Sequence, residues 1–158
     1  MPPAVPPKVV LVTGASAGIG AALARDLSRR GHQLALTARR GDRIQLLADE
    51  LVAEDRARGA ARPPIEIQVI PADLSDASAP ERIIGATLGR FGRLDVLINN
   101  AGFGLPSLFA DSEPTEVRRQ IEVNLVAPLL LARAALPHLL ERRGPIINIG
   151  SAITSVPN

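Results

Sequence analysis

A run of β-branched and apolar residues that leads directly into a glycine-rich turn restricts the fold of this chain most. Residues 9–12 read Val-Val-Leu-Val, which is typical of a strand covered on both faces in a parallel sheet. Residues 13–20 read Thr-Gly-Ala-Ser-Ala-Gly-Ile-Gly. An apolar series with helical spacing follows at Ile19, Leu23 and Leu27. The strand, turn and helix together predict an anion site, because a helix N-terminus offers unpaired N–H donors to a phosphate.

The three glycines of this turn have separate tasks in the predicted site. Gly14 allows the tight turn, Gly18 lets the backbone approach a phosphate, and Gly20 permits close packing of the helix on the strand. The spacing differs from G-x-x-x-x-G-K-[ST], and no lysine follows Gly20 to contact a β- or γ-phosphate. A nucleoside triphosphate is therefore disfavoured. A dinucleotide remains open, and so does a turn that only joins the strand to the helix.

The end of the second predicted strand indicates which dinucleotide this turn would hold. Residues 37–40 read Thr-Ala-Arg-Arg, at a point where NAD-dependent enzymes usually carry Asp or Glu to bind the ribose 2′-hydroxyl. A guanidinium can instead form a forked pair with a 2′-phosphate, so Arg39 is the predicted partner of that phosphate. NADP(H) is favoured over NAD(H). Asp42 lies close enough to keep NAD(H) open, and Arg39 and Arg40 could also be solvated loop charges.

The rest of the chain alternates predicted strands and helices with short links. These are a strand at 34–37, a helix capped by Asp42, a loop at 56–64, a strand nearer the sheet edge at 65–70, a helix at 76–89 started by Ser78 and Pro80, a strand at 94–98, a helix at 113–143 bent by Pro128 and Pro137, and a strand at 146–149. This alternation predicts an α/β fold, a doubly wound parallel sheet of the Rossmann type in three αβα layers with five strands present. Residues 1–8 are expected to form a flexible Pro-rich arm, and residues 9–158 one domain.

Composition excludes several classes of function. The chain has 158 residues, 46% hydrophobic and 22% charged, which is ordinary for a soluble domain. It contains no Cys, which excludes a disulfide framework, a thiolate zinc site and cysteine catalysis, and no metal site is predicted. The net charge is only +2 and aromatic residues make up 2%, so there is no platform on which bases could stack. No nucleic-acid partner is therefore predicted.

Neither the N-terminus nor the most apolar stretch predicts contact with a membrane. The N-terminus lacks a charged segment followed by an apolar one, so no signal peptide is predicted. Residues 125–140 contain two prolines and Arg133, and they fall short of the roughly 20 residues that a membrane span needs. A buried helix is predicted there instead, with no membrane partner and a cytoplasmic location.

The order of the motifs resembles that of the short-chain dehydrogenase/reductase family. The motifs are Thr13-Gly14-x-x-x-Gly18-x-Gly20, Asp73-Leu74 after the third strand, Asn99-Asn100-Ala101-Gly102 after the fourth, Asn124 in the long helix, and Ser151 after the fifth. The resemblance extends over the chain from Val9 onward. It implies that the cofactor-binding residues are Thr13, Gly14, Ser16, Gly18, Ile19, Gly20, Arg39, Asp73, Leu74, Asn100, Ala101 and Gly102.

The resemblance also implies individual roles. Asp73 and Leu74 would hold the adenine ring, and residues 100–102 would line the adenosine ribose. Ser151 would hydrogen-bond the substrate carbonyl or hydroxyl. Asn124 would hold the water of a proton relay, chiefly by bending its helix. Without the resemblance, Asp73 is equally a capping residue, Asn124 a buried and satisfied amide, and Ser151 a loop hydroxyl.

The chain departs from the family pattern at the acid/base. The family uses a Tyr-x-x-x-Lys pair beyond the serine, whereas this sequence contains no Tyr and its only lysine is Lys8. The expectation is a fragment without its C-terminal strands, taken from an NADP-dependent oxidoreductase that moves hydride between NADP(H) and a small carbonyl or alcohol. The alternative is a non-catalytic NADP-binding module or a decayed reductase. A homo-oligomer is expected at full length, and the isolated chain is expected to be poorly soluble or unstable.

Overall fold

Five strands form one parallel sheet in the computed structural model, which describes residues 6–59, 63–105 and 108–151. The strands are β1 (Val9–Thr13), β2 (Gln33–Ala38), β3 (Ile67–Pro71), β4 (Val96–Asn99) and β5 (Ile146–Asn148). Their order in the sheet is β3-β2-β1-β4-β5, so the predicted edge position of the third strand is correct. The chain turns to one side after β1 and to the other after β3. This reversal creates a switch point between β1 and β4, where open α/β sheets bind ligands.

Helices cover both faces of this sheet, so the predicted doubly wound α/β fold is confirmed. They are α1 (Gly18–Arg29), α2 (Gly41–Arg58), α3 (Ala79–Phe91), α4 (Pro114–Ile121) and α5 (Ala127–Arg142), with a π turn at Glu122–Val126 and a 3₁₀ turn at Phe109–Asp111. Successive residues of β1 point to opposite layers. Leu11 packs in the core beneath α3 and α5, whereas Val12 packs in the core beneath α1 and α2, and both are fully buried.

The ends of several helices and strands differ from the predicted ones. Asp42 is not the N-cap of α2, because the helix begins at Gly41 after Arg40. The Asp42 carboxylate lies in the first turn, where it still interacts favourably with the helix dipole. β3 begins two residues later than predicted, and the main-chain N–H of Ile65 donates to the Asp55 carboxylate at 3.0 Å. Residues 1–5 of the predicted arm and residues 60–62 of the predicted loop lie outside the described residues.

The long helix departs from regular geometry before Pro128 rather than at it. Proline has no N–H to donate to the carbonyl four residues earlier, and its ring crowds that carbonyl. For Pro128 the carbonyl belongs to Asn124, which lies in the π turn. The wider turn accommodates the ring while the chain remains helical. Pro137 lies inside α5.

Only one face of this helix is buried. Ala127, Leu131, Ala135 and Leu139 pack in the core. The prediction of a buried helix at 125–140 is therefore wrong for the opposite face, which exposes Ile121 by 49%, Leu125 by 56%, Leu129 by 61%, Leu136 by 47% and Leu140 by 68%. We call these five residues the apolar face. β5 forms the sheet edge beside β4, and its Ile147 is also exposed.

The length argument against a membrane span is also wrong. In the part of the chain that the structure describes, Pro114–Arg142 forms 29 helical residues with a mean hydropathy of 1.5 in its most apolar window. It is the one described helix that is long and apolar enough to cross a membrane. Core helices of soluble proteins meet the same criteria, so the absence of a membrane partner stays a prediction.

Candidate functional site

A cleft with a volume of about 360 Å³ opens at the carboxyl ends of the strands, at the switch point of the sheet. It is formed by the segments that follow β1, β2, β3 and β4, together with one residue of the π turn. The predicted site residues that line it are Gly14, Ser16, Gly18, Ile19, Arg39, Asp73, Leu74, Asn100, Ala101 and Gly102. The residues that line it without having been predicted are Ala17, Ala38, Arg40, Ala72, Phe103 and Val123.

Thr13 lies beneath the cleft rather than in its wall. Its side chain is buried, with 1% of the residue exposed. Its hydroxyl accepts hydrogen bonds from the main-chain N–H groups of Asn100 and Ala101, both at 2.9 Å, and donates to the Ile98 carbonyl at 3.4 Å. Thr13 therefore fixes the segment after β4 against the glycine turn, and it acts on a ligand only through that segment.

The glycines differ in what surrounds them. Gly14 has a φ of +68°, and a Cβ there would lie 2.8 Å from the Ala101 Cα. A Cβ at Gly20, which is buried, would overlap the Gly14 carbonyl oxygen. Gly18 has a φ of +54°, but in the part of the chain that the structure describes a Cβ there would meet nothing within 4 Å. Gly14 and Gly20 are thus required for packing, whereas Gly18 leaves open space at the cleft wall.

The N-terminus of α1 is available to an anion. Ala17 precedes the helix in an extended conformation and lines the cleft. Among the described residues, no side chain caps this end by a hydrogen bond, and no acidic residue occupies its first turn. The first N–H groups of a helix lack intrahelical acceptors and carry partial positive charge. The end of α1 that faces the cleft therefore fits a phosphate.

Two arginines follow β2 at the cleft. Arg39 and Arg40 both line it and both are exposed. The Arg40 Nη2 donates to the Ser16 hydroxyl at 3.1 Å, which places the guanidinium beside the glycine turn. Asp42 is exposed and does not line the cleft. Sequence reasoning selected Arg39 alone, although Arg40 had the same signal, a basic residue directly after the strand.

Asp73 is an ionised carboxylate in the wall after β3. Its Oδ1 accepts hydrogen bonds from the main-chain N–H and the hydroxyl of Ser75, at 3.0 and 2.8 Å, and its Oδ2 lies 2.9 Å from the Arg119 Nη2. Burial by itself would raise the pKa of Asp73. The hydrogen bonds from Ser75 and the charge of Arg119 outweigh burial and hold the pKa below its ordinary value. The carboxylate is therefore an acceptor at neutral pH.

Asn124 organises the cleft from outside its lining. Its Oδ1 accepts from the Phe103 N–H at 3.1 Å, and its Nδ2 donates to the Phe103 carbonyl at 2.8 Å. Gln120 donates to the same carbonyl at 3.3 Å. Asn124 is thus an exposed, satisfied amide rather than a buried one, and it holds Phe103 in the wall. The proton-relay role given to Asn124 remains a prediction.

Ser151 is the last described residue, is exposed, and does not line the cleft. Its role as a substrate contact remains a prediction. Three residues before Ser151 in the sequence, the Asn148 Oδ1 accepts a hydrogen bond from the Asn99 side-chain amide at 2.9 Å, which joins β5 to β4. Within the described ranges, no group of three or more His, Asp or Glu side chains is arranged to hold a metal ion.

Comparisons with known proteins agree with this geometry. The sequence profile described as short chain dehydrogenase matches residues 8–158. The chain is 40% identical over 145 residues to the 11-beta-hydroxysteroid dehydrogenase-like 4A of Arabidopsis thaliana. The match covers 91% of this chain and 46% of the Arabidopsis protein. The chain therefore spans about half the length of the curated relatives it matches.

Solved structures give the same result. A metagenomic short-chain oxidoreductase in complex with NADP has a TM-score of 0.84 and 38% identity, covering 96% of this chain and 65% of the other. An alcohol dehydrogenase from Thermococcus sibiricus, complexed with 5-hydroxy-NADP, has a TM-score of 0.80 and 37% identity. The match covers 89% of this chain and 57% of the dehydrogenase. By sequence profile, fold and cleft, the chain belongs to the short-chain dehydrogenase/reductase family.

Proposed function

We propose that the cleft binds NADP(H), and that a full-length protein containing these residues is an NADP-dependent oxidoreductase. Its reaction would be hydride transfer between the nicotinamide and a small carbonyl or alcohol substrate. The observation that carries the cofactor proposal is the pair Arg39 and Arg40, which follow β2 and line the cleft beside Ser16. Relatives of known structure that are complexed with NADP support it.

The charges at this end of the cleft favour a 2′-phosphate over a 2′-hydroxyl. Two guanidiniums present fixed, planar donor groups that match phosphate oxygens. Among the described residues that line the cleft, the acidic one is Asp73, and its charge is already compensated by Arg119. A ribose hydroxyl, by contrast, would need a free carboxylate acceptor near the end of β2. NADP(H) is therefore the better fit.

The other parts of the cofactor have residues that suit them. The α1 N-terminus and Gly18 would bind the pyrophosphate, because the helix end is uncapped and the space beside Gly18 is open. Asp73 would accept a hydrogen bond from the adenine amino group. Phe103, held by Asn124, would support the ligand from the opposite wall. When bound, the cofactor supplies the hydride donor or acceptor, and the protein supplies binding and orientation.

Proton transfer is the part of the proposed reaction that these residues do not provide. The 158 residues include no Tyr, and their one lysine, Lys8, precedes β1. The proposed activity therefore belongs to a protein that also contains the acid/base pair of the family. For the 158 residues alone we propose cofactor binding. The second candidate, binding without catalysis, is favoured by one observation, that Ser151 and Asn124 both lie outside the cleft lining.

Titration with NADPH and NADH tests the cofactor proposal. The chain contains neither Trp nor Tyr, so nicotinamide fluorescence can be followed without protein emission from those residues. We expect NADPH to bind at least about tenfold more tightly than NADH, because hydrogen bonds to charged groups contribute about 1.5 to 3 kcal/mol. Arg39→Ala and Arg40→Ala should reduce that preference.

Arg43→Ala is the matched control for this titration. It removes the same charge from an exposed residue in the first turn of α2 that does not line the cleft. The preference for NADPH should survive this change. Equal affinity for the two dinucleotides, or tighter binding of NADH, contradicts the NADP proposal. Turnover of carbonyl substrates by a longer protein, lost on Ser151→Ala, separates the enzyme from the binding module.

A further inference from the structure

An ion pair joins the wall of the cleft to a helix that is distant in sequence. Arg119 lies in α4, and its Nη2 is 2.9 Å from the Asp73 Oδ2. Asp73 lines the cleft, whereas Arg119 does not. The pair therefore connects the segment after β3 to α4, whose next turn places Val123 in the same wall.

We propose that Arg119 is a specificity-determining positioning residue, which holds the Asp73 carboxylate where it selects a dinucleotide whose base carries an amino group. This inference rests on the proposed function, because it concerns the base end of the same cleft. Arg119 itself need not touch the ligand. Its effect passes through the orientation and charge of Asp73.

The hydrogen bonds of Asp73 leave room for one ligand contact. An ionised carboxylate offers about four acceptor positions. Ser75 occupies two of them through its N–H and hydroxyl, and Arg119 occupies one. The remaining position can accept one hydrogen bond. Because an ionised carboxylate only accepts, it favours the amino group of adenine over the carbonyl oxygen of hypoxanthine.

Loss of Arg119 removes the anchor of one carboxylate oxygen and leaves the other in place. Ser75 would still hold Oδ1, so the turn after β3 should remain folded. Oδ2 would become free to bind water, and the carboxylate would lose a nearby positive charge. Both changes weaken selection of the base without removing the rest of the site. The phosphate contacts proposed for Arg39 and Arg40 involve neither Asp73 nor Arg119, so they should remain.

The experiment measures dissociation constants for NADPH and for its analogue with hypoxanthine in place of adenine. The unchanged chain should bind the adenine form more tightly. Arg119→Gln should reduce the ratio of the two affinities by about threefold to fivefold, the range expected for a partly exposed ion pair. Arg119→Lys should restore part of the ratio, and Asp73→Asn combined with Arg119→Gln should add little to Asp73→Asn alone.

Arg118→Gln is the matched control, since it removes the same charge one residue earlier. In the described part of the chain Arg118 is exposed and forms no ion pair. It should lower both affinities equally, if at all, and leave their ratio unchanged. An unchanged ratio in Arg119→Gln, with NADPH still bound, overturns this inference alone. Failure of the unchanged chain to bind either dinucleotide overturns the proposed function and the inference together.

Discussion

Asn100 donates two hydrogen bonds to Thr13, one from its main-chain N–H to the threonine hydroxyl and one from its side-chain amide to the threonine carbonyl, both at 2.9 Å. The two residues are 87 positions apart: Thr13 ends β1, and Asn100 directly follows the neighbouring strand β4. Their contacts hold the two sides of the cleft at a fixed separation. The hydroxyl of Thr13 is central, because it also accepts the N–H of Ala101.

Thr13→Val should therefore destabilise the fold more than its small change in shape suggests. Valine keeps the volume but leaves the N–H groups of Asn100 and Ala101 without their acceptor. An unsatisfied buried donor costs about 1 to 3 kcal/mol, so a loss of about 2 to 4 kcal/mol in the free energy of unfolding is expected. Denaturant titration measures it. Thr13→Ser keeps the hydroxyl and should cost about 1 kcal/mol, and equal losses in the two variants would contradict this role.

Gly18→Ala should affect binding more than stability. A residue other than glycine at positive φ costs about 1 to 2 kcal/mol, but the added methyl meets no atom of the described residues and occupies space at the cleft wall. We expect NADPH affinity to fall at least about tenfold, because proximity of the backbone to the pyrophosphate is lost. Calorimetric titration and thermal unfolding measure the two effects.

Gly59→Ala is the control for this change. Gly59 has a φ of +57°, and among the described residues its surroundings are equally open, but it follows α2 and does not line the cleft. The two variants should lose similar stability, and only Gly18→Ala should lose affinity. Matching affinity losses would show that the strain at positive φ, and not the methyl in the cleft, weakens binding.

Local patterns were sufficient to predict the architecture. The β-branched run of β1, the glycine turn and the apolar spacing of α1 each follow from short-range preferences, and their alternation with later elements gave the doubly wound sheet. The position of β3 at the edge followed from its alternating apolar and polar residues. The π turn was missed, although Pro128 pointed to a disturbed carbonyl at Asn124.

The site was harder to predict because its key contacts join residues far apart in sequence. The motif predicts Thr13 as a cofactor-binding residue, whereas its hydroxyl accepts hydrogen bonds from the main chain of the segment after β4. Phe103 lies in the cleft wall because the Asn124 side chain hydrogen-bonds to its backbone, and no local sequence pattern predicts that pairing. The pair of Asp73 with Arg119 spans 46 positions and depends on where α4 packs. Such contacts are properties of the fold.

Because of Asp95, the free energy of unfolding should fall as the pH becomes acidic. Its carboxylate accepts from the Val9 N–H at 2.8 Å and pairs with Arg142 and Arg93 at 2.9 and 3.0 Å, with 9% of the side chain exposed. Burial raises the pKa of Asp95, but the Val9 N–H and both arginines outweigh it and hold the pKa below its ordinary value. A carboxylate whose folded pKa is depressed stabilises the fold above its unfolded pKa, and this stability disappears as pH falls through the folded pKa.

Asp95→Asn should lower the free energy of unfolding at pH 7 by about 2 to 3 kcal/mol, since the neutral amide no longer compensates the charges of Arg142 and Arg93 and offers one acceptor oxygen where the carboxylate offers two. Its unfolding free energy should also fall less steeply than that of the unchanged chain below about pH 4. Denaturant unfolding across pH measures both. Asp26→Asn removes an exposed pair with Arg30 and should cost less than about 1 kcal/mol. Parallel pH curves for Asp95→Asn and the unchanged chain would contradict the assignment.

The apolar face should cause the 158-residue chain to self-associate. Contiguous exposed apolar surface on a helix favours contact with another apolar surface, because burial gives about 25 cal/mol for each Å² removed from water. Replacing Leu125, Leu129 and Leu140 with glutamine should lower the average mass in solution, as measured by sedimentation or light scattering across concentration. Leu46→Gln is the control, because Leu46 is 70% exposed on α2, away from this face. A monodisperse monomer with a cooperative thermal transition in the unchanged chain would show that this face is tolerated in water.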